Sequence, residues 1–141
     1  MNIHSYIMIK EGSGYRAIYC HRDGSPEGVG RVLAEHYTDN KKVLQLIELG
    51  SLVRLGKNIG GKLDFDRAMT DPSYAADQCV ANYRDRDDPM DIIDFDRLPN
   101  SKDEWEIEYF YVFIDGEWYV YKGDPEKIFK VRDVLEKKIE L

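Results

Sequence analysis

Residues 19–30 are Tyr19-Cys20-His21-Arg22-Asp23-Gly24-Ser25-Pro26-Glu27-Gly28-Val29-Gly30. A strand is predicted to end in this stretch, because residues 15–20 are rich in aromatic and β-branched side chains. Asp23-Gly24 is typical of a turn, and Pro26 suits the first position of a helix. Apolar and aromatic side chains then recur at helical spacing up to Tyr37. The stretch therefore predicts a strand, a turn and a helix in close succession, and its strand-to-helix junction is called the His21 corner below.

The residues before this corner predict a β-hairpin. Residues 2–10 alternate between two sets of side chains, as in a half-buried strand. Residues 11–14 form a glycine-rich connection that is too short for a parallel crossover. We therefore expect the strand at 15–20 to pair antiparallel with the first one and to carry the His21 corner at its end.

Further elements follow from the same signals. The sequence predicts a helix at 41–49 ended by Gly50, a helical turn at 51–56, a hairpin from strands 104–114 and 118–121 around Asp115-Gly116, and a final helix at 127–139. The fold class that these elements predict is α+β, an antiparallel sheet of four to five strands with two to three helices packed on a face. Residues 1–141 are predicted to form a single domain with an acidic, irregular insertion at about 64–100, in which 78–83 is the best strand candidate.

Hydrophobic content, apolar runs and cysteine usage limit the classes of protein to which the chain can belong. The chain has 141 residues, of which 43% are hydrophobic, and this is sufficient for an ordinary globular core. No apolar run is long enough to span a membrane and no signal-peptide pattern is present, so we expect a cytoplasmic protein of the host cell without membrane contact. Cys20 and Cys79 lack metal-ligand or redox spacing and are predicted to be reduced core thiols.

Negative charge is concentrated in one segment. Residues 64–96 contain ten Asp and three Arg, so that their net charge of −7 equals that of the whole chain. Direct binding of nucleic acid is disfavoured, because affinity for phosphates requires Lys and Arg. A partner protein with a basic surface is favoured instead. The predicted partner-binding residues are Asp85, Asp87, Asp88, Asp91, Asp94 and Asp96. They do not match a calcium loop, because Met90 occupies the position that requires glycine.

The His21 corner offers an alternative. Histidine and aspartate side chains could bind a metal ion or perform acid–base chemistry, or they could simply shape the end of the strand. A nucleotide could be held here, with arginines on its phosphates. The candidate ligand residues are Tyr19, His21, Asp23, His36, Tyr37, Arg84 and Arg86. No nucleophile or zinc-protease motif is present, so we predict a protein without catalytic residues, metal or cofactor, and keep a metal-dependent hydrolase as a third hypothesis.

Several motifs resemble a family of short accessory proteins of phages, prophages and other bacterial mobile elements. The resemblance lies in Tyr19-Cys20-His21-x-Asp23-Gly24-x-Pro26, in Tyr83-Arg84-Asp85-Arg86 and in Asp115-Gly116-Glu117-Trp118-Tyr119-Val120. It implies an origin rather than an activity, in a class where inhibitors of host defence, anti-CRISPR proteins included, are common. The leading hypothesis is a non-enzymatic protein that binds and inhibits a host protein, such as a defence nuclease or its complex, through an acidic face that mimics phosphates.

Overall fold

A computed structural model describes residues 2–141. Its strands are β1 (Ser5–Glu11), β2 (Gly14–Cys20), β3 (Leu52–Arg54), β4 (Val80–Ala81), β5 (Ile93–Phe95), β6 (Tyr109–Ile114), β7 (Glu117–Tyr121) and β8 (Phe129–Lys130). Its helices are α1 (Arg31–His36), α2 (Asn40–Ile47), α3 (Phe65–Thr70), α4 (Asn82–Arg86) and α5 (Val131–Leu135), and a single π-helical turn, Pro26–Gly30, leads into α1.

The strands form one mixed sheet. Seven of them follow the order β4-β3-β2-β1-β6-β7-β8, and β5 pairs with β2 beside this path. The pairs β1–β6 and β2–β3 are parallel, whereas the other pairs are antiparallel. The predicted antiparallel sheet of four to five strands with two to three helices is therefore wrong, since the described residues contain eight strands and five mostly short helices.

The missing strands leave little trace in the sequence. The helical turn predicted at 51–56 is wrong, because residues 52–54 form the short strand β3, which pairs with β2 through one residue pair only, Cys20 with Leu52. Strand β6 pairs with β1 in register from Ser5–Tyr109 to Ile9–Phe113. About a hundred residues separate these partners, and alternation within a strand does not reveal which distant strand will pair with it.

Both predicted hairpins are confirmed. Strands β1 and β2 pair antiparallel over their full length, and Gly12 takes a φ of +59° in the turn. Strands β6 and β7 pair around Asp115 and Gly116, which both have positive φ, as a tight two-residue hairpin turn requires. These contacts depend on residues close in sequence, which is why local turn signals were sufficient.

The sheet buries side chains on both faces. One face packs against α1, α2 and α5 around Ile7, Leu33 and Tyr111. The other face carries Tyr6, Met8 and Phe110, and the chain around 92–107 packs over it. Strand β1 is therefore a central strand rather than the half-buried one predicted. Among residues 2–141, no helix combines the length and the apolar character needed to cross a membrane.

The acidic segment 64–100 contains α3, β4, α4 and β5. A small apolar cluster of Val53, Ala68 and Val80 attaches α3 to the edge of the sheet. The strand predicted at 78–83 is reduced to two residues, because the chain turns into α4 at Asn82. The predicted final helix at 127–139 is also too long, since residues 129–130 pair with β7 and Lys137 has a φ of +60° after α5.

Both cysteines are free and buried, as predicted. Burial raises the pKa of the Cys20 thiol to about 12. A thiol with so high a pKa carries almost no thiolate at neutral pH, so Cys20 is a packing residue.

Candidate functional site

Three polar rings meet where β1 begins and β2 ends. The Tyr19 hydroxyl lies 2.8 Å from His4 Nδ1 and 3.1 Å from His21 Nδ1. The two imidazoles stack with ring centroids 4.7 Å apart and an interplanar angle of 28°. All three side chains are partly buried. We call His4, Tyr19 and His21 the histidine cluster.

The register of the first hairpin builds this cluster. Because Ser5 pairs with Cys20 and Tyr6 with Tyr19, His4 lies across from His21 just beyond the last pair. The His4 ring is then fixed by a bond from Nδ1 to the His21 carbonyl oxygen, at 2.9 Å. The sequence prediction found Tyr19 and His21 but missed His4, although the predicted hairpin already contained the signal.

The environment of the cluster favours neutral imidazole at His21. Its pKa is lowered by burial first, and then by the nearby His4 and Arg22. Burial likewise raises the pKa of Tyr19, with the charge of Glu106 adding to the effect. Tyr19 and His21 are therefore uncharged at neutral pH, and they act through hydrogen bonds and lone pairs rather than through charge.

The other residues predicted around the His21 corner have separate roles. Asp23 shapes the turn with a φ of +56°, and its carbonyl oxygen accepts a bond from Val29 N at 2.7 Å. His36 lies exposed on α1 beside Glu35. Tyr37 is fully buried and donates its hydroxyl to the Gly56 carbonyl at 2.7 Å. The predicted ligand set is thus not assembled as one site.

Arg84 and Asp85 form a buried structural pair. Asp85 has a fully buried carboxylate that accepts hydrogen bonds from Arg84 Nε at 2.9 Å, Ala81 N at 2.8 Å and Leu63 N at 2.9 Å. The Arg84 guanidinium also donates to the carbonyl oxygens of Ile59, Gly60 and Cys79. Asp85 is consequently not available to a partner, and Arg84 has its donors engaged inside the fold rather than on a phosphate.

The next predicted residues are exposed but have oppositely charged neighbours. Asp87 lies 3.2 Å from Lys62 Nζ, and Asp88 lies 3.9 Å from Arg86 Nε. The Arg86 guanidinium also stacks over the ring of Phe65, 5.0 Å from its centroid. These pairs are solvent-exposed and therefore weak, but they reduce the local excess of negative charge.

Between residues 91 and 106 no carboxylate of the described chain is in an ion pair, and all of them are exposed except the half-buried Glu104. We call the following residues the acidic face: Asp91, Asp94, Asp96, Asp103, Glu104 and Glu106. An open groove of about 550 Å³ runs along Asp94, Asp96, Asp103 and Glu104, with Arg97 as the only cation in its lining. A smaller recess of about 150 Å³ continues from Asp103 and Glu104 to Tyr6 and Tyr19. The acidic face therefore adjoins the histidine cluster.

Internal bonds hold the backbone that carries this face. Asn100 Oδ1 accepts bonds from the backbone N–H groups of Lys102 and Asp103, at 2.9 and 3.1 Å. The buried Tyr121 hydroxyl donates to the Pro99 carbonyl. Because these bonds fix residues 99–103 against the sheet, the carboxylates that follow are held in place rather than carried on a free loop.

The buried Tyr6 contacts the acidic face through Glu104. Its hydroxyl donates to Glu104 Oε2 at 2.9 Å. The pKa of Tyr6 is raised well above its usual range, by burial first, then by Glu104 and by the charges of Asp91 and Glu106. The carboxylates of Asp91, Glu104 and Glu106 are therefore all close enough to the Tyr6 phenol to raise its pKa.

Trp105 projects from the acidic face. Its side chain is 80% exposed, the most exposed large apolar side chain among the described residues. The sequence prediction placed it inside a strand at 104–114, but β6 begins only at Tyr109. The polar run at 100–104 was the available signal, since Asn100 favours a turn over a strand. Glu104, Trp105 and Glu106 were missed for this reason, whereas Asp103 lies between the predicted insertion and the predicted strand.

No protein-family model matches the chain, and a search of curated proteins and of solved structures likewise finds no significant match. The chemistry of the protein's own surface is therefore the basis for its proposed function. Within residues 2–141 no group of three or more His, Cys, Asp and Glu side chains is arranged to hold a metal ion. The candidate functional features of the surface are then the acidic face with Trp105 and the histidine cluster.

Proposed function

We propose that this protein is a non-enzymatic binding protein that docks its acidic face on a basic surface of a partner protein. The observation that carries the proposal is the acidic face itself, whose carboxylates form no ion pair within the described residues and are exposed except for the half-buried Glu104, beside the exposed Trp105. Residues 87–106 contain eight Asp and Glu and only two Lys and Arg, so this segment holds a net −6 of the chain's −7.

Carboxylates and an aromatic ring complement a basic surface in two ways. Exposed negative charges accelerate encounter with a positive surface and fix the orientation of the complex. A tryptophan supplies the large contact area on which binding energy concentrates, and it attracts an arginine over its ring face. Trp105 and the carboxylates on either side of it, Glu104 and Glu106, therefore favour an arginine-rich contact.

The partner class that suits this surface is a protein that itself binds nucleic acid. Such a protein presents Lys and Arg along a channel where phosphates lie, and carboxylates can take the place of those phosphates. A host defence nuclease or its complex is the example that the sequence resemblance suggests, with the protein acting as an inhibitor. In this form Asp85 is removed from the predicted contact set and Asp103, Glu104, Trp105 and Glu106 join it.

The proposal is tested with two variants of equal charge. One carries Asp91→Asn, Asp94→Asn, Asp96→Asn and Asp103→Asn on the acidic face. The control carries Glu48→Gln, Glu126→Gln, Glu136→Gln and Glu140→Gln, which are also exposed. Each tagged protein is used to capture partners from host lysate, and the captured proteins are identified by mass spectrometry. We expect the wild type and the control to capture the same nucleic-acid-binding protein and the acidic-face variant to lose it.

Competition with nucleic acid then distinguishes mimicry of phosphates from a contact elsewhere on the partner protein. Duplex DNA or RNA added to the purified complex is expected to displace this protein, because both ligands occupy one basic channel. Trp105→Ala is expected to weaken the complex about tenfold or more while leaving the melting temperature unchanged, because the side chain is exposed. Equal capture by both charge variants, or a complex that is indifferent to nucleic acid, would contradict the proposal.

A further inference from the structure

Strand β5 lies at an open edge of the sheet. It pairs with β2 in a register that places Asp94 opposite Arg16, and within residues 2–141 no other strand pairs with it. The outer backbone N–H and C=O groups of such a strand have no partner in the sheet, so a further strand can add to them. The edge of β5 is therefore a surface on which backbone groups as well as charges can bind a partner.

The hydrogen bonds of β2 show which residue of β5 faces outward. His21 N donates to the Leu52 carbonyl oxygen at 3.0 Å. Because backbone groups alternate in direction along a strand, the odd-numbered residues of β2 direct their N–H and C=O groups towards β3 and β5. The partners of these residues in β5 are Ile93 and Phe95. Asp94, which lies between them, therefore directs its own N–H and C=O groups away from the sheet.

The outward backbone groups of Asp94 are accessible and unused. Asp94 is exposed, and its N–H and carbonyl oxygen have no hydrogen-bond partner on this outer side within residues 2–141. The groove of about 550 Å³ runs along the chain from Asp94 to Asn100. An extended peptide can therefore reach this edge from the groove.

The charge of the edge determines which strand can be added. Asp91, Asp94 and Asp96 are exposed and form no ion pair among the described residues. The nearest cation across the strand pair, Arg16, is already held by Glu11 at 3.3 Å. Carboxylates at a sheet edge repel a second copy of the same edge and attract a basic strand. The complementary occupant is therefore a basic segment of another protein.

We infer that β5 is the docking edge for a basic, extended segment of the partner protein, which adds to the sheet through the N–H and C=O groups of Asp94. The inference rests on the proposed function for the charge of the partner and adds the geometry of the contact. The segment residue opposite Asp94 shares its face of the sheet and is expected to be Lys or Arg. The residues on either side of it share the apolar face of Ile93 and Phe95 and are expected to be apolar.

The backbone contact is tested with an acetylated and amidated nine-residue peptide of alternating Val and Arg. Its affinity is measured for the full chain as wild type, Asp94→Asn and Asp94→Pro. Both substitutions remove the same charge, but only proline removes the outward N–H, and an edge strand tolerates proline where the N–H faces solvent. We expect Asp94→Pro to bind the peptide about tenfold more weakly than Asp94→Asn. Equal affinities of the two variants, both folded by their melting temperatures, would overturn the inference.

Amide hydrogen exchange of the wild type provides a measurement that needs no variant. Saturation with the peptide is expected to slow exchange of the Asp94 amide about tenfold or more and to leave Phe95, which is already bonded to β2, unchanged. An Asp94 amide that exchanges equally fast with and without the peptide would overturn the inference. So would equal binding of a peptide of alternating Val and Glu. Protection of Asp94 that grows with the concentration of the protein alone would assign the edge to a second copy and overturn it as well.

Capture from host lysate separates this inference from the docking proposal. We expect Asp94→Pro to capture less of the partner than Asp94→Asn does. If these two variants capture it equally while the acidic-face variant loses it, the docking proposal stands and the added strand is excluded.

Discussion

At the scale of single residues, charge in this protein serves two different purposes. Asp64 and Asp39 cap helices with their carboxylates, and Asp85 neutralises Arg84 in the interior. Carboxylates with such roles stabilise the fold, and that of Asp85 is also withdrawn from the surface. The acids without these bonds, chiefly at residues 91–106, are the ones proposed to contact a partner.

Removal of the Asp85 carboxylate should destabilise the protein strongly. Asp85→Ala leaves the Arg84 charge without its partner and the N–H groups of Ala81 and Leu63 without an acceptor. We expect the free energy of unfolding to fall by about 3–5 kcal/mol in urea denaturation. Asp94→Ala, an exposed position on β5, should change it by less than about 0.5 kcal/mol. Similar effects of the two substitutions would contradict a structural role for Asp85.

For Ser5 we expect the opposite outcome, because removal of its hydroxyl should not destabilise the protein. Its hydroxyl is fully buried in β1 and has no hydrogen-bond partner within residues 2–141. Because an unsatisfied buried hydroxyl is unfavourable, Ser5→Ala should leave the free energy of unfolding unchanged or raise it by about 1 kcal/mol. The buried Ser51 hydroxyl accepts a bond from Asn82 Nδ2 at 3.1 Å, so Ser51→Ala should lower it by a similar amount. A loss of stability in Ser5→Ala would show that its hydroxyl is satisfied.

At the scale of elements, the junction between β2 and α1 depends on a close backbone contact. A Cβ atom at Gly28 would lie only 2.2 Å from the Asp23 carbonyl oxygen, so this turn must open if any side chain is added. Gly28→Ala should therefore lower the free energy of unfolding by about 1–3 kcal/mol, the usual range for overpacking. Gly61→Ala is the control, because a Cβ there meets nothing within 4 Å. Equal melting temperatures for the two variants would contradict the tight turn.

The elements that the sequence predicted well are those fixed by near neighbours. The hairpins of β1–β2 and β6–β7 and the helix α2, with its Asp39 cap, follow from turn and cap residues within a few positions. The parallel pairs β1–β6 and β2–β3 join distant residues and were not predictable from one sequence. The π-helical turn at Pro26–Gly30 likewise replaces a regular helix start that Pro26 had suggested.

The candidate site was predicted in part for the same reason. Tyr19 and His21 were identified because they lie in one stretch, whereas His4 joins them only through the hairpin register. Trp105 was assigned to a strand from its aromatic character, but the turn that Asn100 caps delays the strand until Tyr109. In both cases the deciding contacts lie outside the residue's own stretch, in the hairpin register for His4 and in the turn at Asn100 for Trp105.

At the scale of the whole molecule, the two faces of the sheet have different roles. Helices α1, α2 and α5 cover one face, and the chain around 92–107 covers the other and presents the acidic face and Trp105. The sequence alone placed the surplus charge at 64–96. In the fold the available charge lies further along, since Asp64, Asp77 and Asp85 are engaged in a cap or in ion pairs.

The most direct test of the docking proposal is the salt dependence of the dissociation constant for the captured partner. It is measured from about 50 mM to about 300 mM salt with the wild type, the acidic-face variant and the matched control, because screening grows across this range. We predict a steep loss of affinity with salt for the wild type and the control, and weaker, nearly salt-independent binding for the acidic-face variant. Three parallel salt curves would contradict the proposal that the acidic face carries the contact.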